Sequence, residues 1–173
     1  MTLIQMADSV DLAEIPRLYA AWDNGIATYR DGPHAYTPAE LAPWPRGWRI
    51  TVNADPAVAI AARAIDCEHL DATPQAIQPY QEARGKYGAQ TTVYTSLSQV
   101  RAIQDADDLW HELLWWLAWW VPSPPTVADT LAEAEAYGAL PIDPAMVRAI
   151  QWSPRGTYDS SMIFGDPQWQ HFH

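Results

Sequence analysis

The sequence predicts an α/β fold, a compact and abbreviated (β/α)8 TIM-like barrel, on three observations. Short apolar or β-branched runs alternate with helix-like segments along the 173 residues, the pattern of βα units around a mainly parallel sheet. The 15 prolines are dispersed through the chain, which marks many short elements separated by stiff turns. The length allows about 22 residues per unit, against about 250 residues in a typical barrel of this kind. One or two helices are therefore expected to be reduced to loops.

Strands are expected at 3–7, 25–29, 49–53, 63–67, 91–95, 115–121 and 148–152. Between the first two, Leu12, Ile15, Leu18, Tyr19 and Trp22 recur at helical spacing and cover one face. A second helix opens at Thr37 or Pro38, where Thr37-Pro38-Ala39-Glu40 supplies an N-cap, a first-turn proline and an early carboxylate. Thr73-Pro74-Gln75-Ala76 opens a third in the same way, running to about Tyr87 before Gly88 ends it. A fourth runs from Ala128 to Tyr137 and is closed by Gly138. Pro122-Ser123-Pro124-Pro125 reads as a loop after a strand, and neither an internal repeat nor an interdomain linker interrupts residues 1–173, which read as one domain.

Composition narrows the function classes. A net charge of −11 with only ten Lys and Arg argues against binding a nucleic-acid backbone, which clustered cations hold. The single cysteine, Cys67, can form no intrachain disulfide. The first residues, Met1 to Asp8, lack the basic and long apolar regions of a Sec-type signal peptide. The longest apolar run, Leu113 to Val121, is far shorter than the roughly 20 residues of a membrane span, so no membrane partner is expected.

The stretch richest in chemistry is Arg63-Ala64-Ile65-Asp66-Cys67-Glu68-His69-Leu70-Asp71. Side chains alternate along a strand, so Asp66 and Glu68 share a face and Cys67 takes the other, as a core residue. At the carboxyl end of a barrel strand, burial and mutual repulsion would raise one carboxyl pKa and leave the other group ionised. General acid catalysis at a glycosidic bond needs that division. Glu68, nearer the strand end, is the candidate acid. Among the ten tryptophans and eight tyrosines, Tyr94, Trp119, Trp120 and Trp152 fall near strand ends and suit sugar stacking. The run Trp115-Trp116-Leu117-Ala118-Trp119-Trp120 also reads as a strand buried on both faces. The five histidines show no paired metal spacing, and Asp66, Glu68 and Asp71 lack the glycine-turned loop of a calcium hand. No metal or other cofactor is expected.

Asp66-Cys67-Glu68 resembles the Asp-x-Glu motif of the family 25 glycoside hydrolases, the lysozyme-like muramidases, in their actinobacterial and actinophage branch. The likeness continues in order through Tyr29-Arg30-Asp31-Gly32, Asp71-Ala72-Thr73-Pro74, Val93-Tyr94-Thr95-Ser96, Trp116-Leu117-Ala118-Trp119, Ala149-Ile150-Gln151-Trp152 and Tyr158-Asp159-Ser160-Ser161. The resemblance implies that Glu68 protonates the leaving oxygen and Asp66 positions or stabilises the reacting sugar. It also implies that Asp8 and Asp159 close the pocket, with Asp31 among the substrate-binding positions. Leu70 stands where relatives often carry glycine, and Trp119 where they often carry a polar or acidic residue, so an indole is expected to fill part of the cleft.

Two functions follow as expectations. One is a peptidoglycan glycan-strand hydrolase, with a retaining, inverting or substrate-assisted course left open. The other is a phage tail or virion module that keeps the barrel and binds glycans without cutting them. The implied partners are peptidoglycan or another cell-wall glycan and other phage tail proteins, and the implied location is the virion or, after release, the cell wall.

Overall fold

The structure, a computed structural model, describes residues 4–9, 13–15, 25–29, 35–44, 49–53, 64–68, 71–86, 90–153 and 158–164. Eight strands close into a barrel in chain order: β1 (Ile4–Asp8), β2 (Gly25–Tyr29), β3 (Arg49–Asn53), β4 (Ala64–Asp66), β5 (Thr92–Ser96), β6 (Leu114–Ala118), β7 (Val147–Trp152) and β8 (Asp159–Ile163). Neighbours from β1 to β7 pair in parallel. β8 is antiparallel to both β7 and β1 and closes the ring.

This corrects the expected (β/α)8 TIM-like barrel. The sheet is mixed, and only four α-helices stand among the described residues: α1 (Pro38–Leu41), α2 (Ile77–Gly85), α3 (Val100–Ala106) and α4 (Val127–Ala136). The reason is chain length. A parallel crossover needs a dozen or more residues, and only residues 153–158 separate β7 from β8. The chain can only turn back, so β8 pairs antiparallel with β7, and among the described residues strand outweighs α-helix.

Local chemistry explains the helices that do form. Thr37 Oγ1 accepts the Glu40 N–H at 3.3 Å, and the Glu40 carboxylate accepts the Thr37 N–H at 2.7 Å. This capping box, with Pro38 in the first turn, starts α1 where the sequence suggests. At Thr73-Pro74 the outcome differs. Thr73 makes no side-chain cap, and a 3-10 turn over Pro74–Ala76 precedes α2. Thr126 caps α4 through the Asp129 N–H at 3.1 Å, and Gly138 ends it at φ +93°, a left-handed conformation suited to glycine. The helix expected over 12–22 lies largely outside the described residues, although Ile15 is buried with Ala7, Ile26 and Trp44. Among the described residues, no helix is long and apolar enough to cross a membrane.

Strand alternation divides the core. Outward residues such as Ile65, Val93, Trp115, Leu117 and Ile150 pack under α2, α3 and α4. Inward residues fill the barrel with Trp116 and Tyr94, surrounded by Ala27, Ala64, Ala118 and Ala149. The small alanines leave the volume that two aromatic rings need within so narrow a ring of strands. The rings meet edge to face with centroids 4.9 Å apart, and Trp116 Nε1 donates to Ser161 Oγ of β8 at 3.0 Å. The barrel is thus a filled core, closed beneath its upper mouth.

Candidate active site

The mouth at the carboxyl ends of β1–β7 gathers the acidic residues. Asp66 ends β4 and is 1% exposed. Its Oδ2 accepts the Tyr29 hydroxyl at 2.8 Å, from an inward-facing tyrosine at the end of β2. One residue on, Cys67 turns outward into the layer beneath the helices, as alternation requires. Burial, with Asp66 and Glu68 on either side, pushes its thiol up to about 12. Neutral and enclosed, this thiol takes no part in the acidic mouth.

Glu68 follows the strand end and is half-buried. Backbone hydrogen bonds tie it to the following segment, with the Asp71 N–H on the Glu68 carbonyl at 3.2 Å and the Ala72 N–H on the Asp66 carbonyl at 3.1 Å. On the β5 side, Cys67 N–H donates to the Tyr94 carbonyl at 2.9 Å and Thr95 Oγ1 to the Cys67 carbonyl at 2.8 Å. Burial raises the Glu68 carboxyl to about 7, helped by the negative charges of Asp71 and Asp159 and opposed by a hydrogen bond from the Ser96 N–H. The repulsion expected from Asp66 comes instead from these two other carboxylates.

Asp159 reaches the mouth because β8 runs backwards. Its first residue therefore lies at the end where the parallel strands finish, paired in register with Asp8 of β1. Gln151 Nε2 donates to Asp159 Oδ2 at 3.2 Å. Burial raises the Asp159 carboxyl, while hydrogen bonds from Ser153 and Gln151 lower it. Asp66, Glu68 and Asp159 thus come together at one end, with the backbone of Asp8 beside them. Chemically, the arrangement offers one carboxyl held protonated near neutral pH beside others held by hydrogen-bond donors, the requirement for coupled acid and electrostatic roles. Among the described residues, no group of three or more His, Cys, Asp or Glu stands so as to hold a metal ion.

The expected sugar platforms are placed differently. Tyr94 is 4% exposed and packs inside the barrel against Trp116. Trp152 is 5% exposed and follows inward-facing Gln151, so alternation turns it away from the mouth. Trp119 packs against the outer layer under the helices rather than filling the cleft. Among the described residues, Trp120 is the exposed indole, at 56%. Asp31 lies outside the described residues.

The parts that Tyr29 and Gln151 take in the mouth are not legible in the sequence. A hydroxyl or amide facing a carboxylate from another strand leaves no signal in local spacing. A cavity of about 580 Å³ lies at the opposite end, beside Thr91, Leu109, Glu112 and Met146 near the starts of β5, β6 and β7. Comparisons with family models, with curated proteins and with solved structures found no match to this chain.

Proposed function

We propose that the protein hydrolyses the glycan strand of peptidoglycan by acid-assisted substitution at the anomeric carbon. The observation that carries this reading is Glu68. It is a half-buried carboxyl raised to about 7 among Asp71 and Asp159, and so still carries a proton near neutral pH. Donated to the glycosidic oxygen, that proton lets the leaving sugar depart as an alcohol. Asp66, oriented by Tyr29, and Asp159, oriented by Gln151, supply negative charge for the oxocarbenium-like transition state. The ordered motifs resembling family 25 glycoside hydrolases point to a cell-wall glycan as substrate, and to a phage tail component or phage lysin as the setting.

The test is release of reducing ends from purified actinobacterial cell walls, with Glu68→Gln as control. The wild type should release reducing ends and the variant should fall to background. Equal, background signals from both would reject hydrolysis and leave the glycan-binding virion module. Trp119 packs against the outer layer, so its placement lends no steric support to that second reading.

A further inference from the structure

Gln151 is 1% exposed. It lies on β7 between Ala118 of β6 and Ser161 of β8 and faces the interior, since its neighbour Ile150 belongs to the outer layer. The two halves of its amide fare differently. Nε2 donates to Asp159 Oδ2 at 3.2 Å, whereas Oε1 is buried with no hydrogen-bond partner among the described residues. Reversing the amide would set its oxygen against the carboxylate, so the orientation is fixed by the charge it faces. A buried carbonyl left unsatisfied works against folding, and an apolar side chain of the same size would avoid it. The half of Gln151 with a partner is the half that touches the acidic mouth.

We propose that Gln151 is a positioning residue of this site, holding the Asp159 carboxylate in the orientation in which it faces Glu68. The proposal rests on the reading of Glu68 as the acid. Three kinds of contact meet around Asp159. Ser153 and Gln151 donate from β7 and the segment after it, Glu68 faces it from the segment after β4, and Asp8 of β1 stands opposite in backbone register. Gln151 is the buried donor on the barrel side of this group, so losing it frees the carboxylate to take its proton and to turn.

The test compares Gln151→Met, which keeps length and volume, and Gln151→Leu with the wild type. The readouts are thermal melting, carbon-13 carboxyl NMR titration of Asp159, and reducing-end release across pH. The Asp159 midpoint should rise in both variants, and the pH profile of release should move with it. An unmoved Asp159 midpoint overturns the proposal, whatever the melting temperature does. If the midpoint rises but no protein releases reducing ends, the contact stands and the hydrolase reading fails, so the two are separable.

Discussion

The hydroxyl of Tyr29, at the end of β2, donates to Asp66 Oδ2, at the end of β4, over 2.8 Å. These strands do not pair with each other, since β3 lies between them. Tyr29→Phe keeps the ring and removes a donor to a carboxylate that is 1% exposed. Hydrogen bonds to charged groups contribute roughly 1.5–3 kcal/mol, so urea unfolding should show a loss in that range. A variant as stable as the wild type would mean that the contact does not hold the mouth together.

Trp116 occupies the barrel interior with Met6, Tyr94, Ile163 and four alanines, and removing its indole leaves a void larger than the short alanine methyls can fill. Trp116→Ala is expected to lose about 3–5 kcal/mol. Ser161→Ala removes the acceptor of the indole N–H and should lose about 1–3 kcal/mol. Because Trp116→Phe abolishes the same bond, combining it with Ser161→Ala should give less than the sum of the single losses. Strict additivity in denaturant titrations would show that the Trp116 to Ser161 bond carries no energy.

Stability should depend on pH in a direction set by Glu68. Its carboxyl is raised to about 7 from 4.5, so between these values the folded protein binds more protons than the unfolded chain. Stability is then fully present below pH about 4.5 and declines as pH rises through about 7. Burial raises Asp159 and Asp107 in the same direction. Glu68→Gln should flatten the decline between pH 4.5 and 7 in melts taken across that range. A wild type that gains stability over the same interval would contradict the assignment.

Gly138 ends α4 at φ +93°, and a Cβ built there meets nothing within 4 Å. Space is therefore not the constraint, and backbone conformation is. Gly138→Ala should lose about 1–2 kcal/mol from the left-handed penalty alone, with no rearrangement of neighbouring side chains. No change in melting temperature would show that the helix end can be recast.

Much of the barrel was legible because its signals are local. The seven expected strands all appear among the observed ones within a few residues, and Thr37-Pro38 and Gly138 mark helix ends by cap chemistry that needs no partner elsewhere. β8 was missed because Asp159-Ser160-Ser161 carries little apolar or β-branched signal. Its inward Ser161 serves as an acceptor for Trp116, a role that shows only once the barrel closes. That omission hid the antiparallel closure, and with it the departure from a (β/α)8 barrel. α3 was missed as well, where Val100 and Ile103 are buried. At the site, strand alternation placed Asp66, Cys67 and Glu68 correctly. The roles of Tyr29 and Gln151 depend on contacts between different strands, whereas Asp71 acts on Glu68 from three residues away. Trp119 and Trp152 show the limit of reading aromatics by position: both fall at strand ends, yet packing and alternation turn them from the mouth.

Acid catalysis at this mouth requires Glu68 to keep its proton at a pH where an ordinary glutamate has lost it. Carbon-13 NMR titration of the Glu68 side-chain carboxyl in the folded wild type, assigned by its absence in Glu68→Gln, measures this directly. The expected midpoint is near 7, and a midpoint at the ordinary value of 4.5 would contradict the role of Glu68 as the acid.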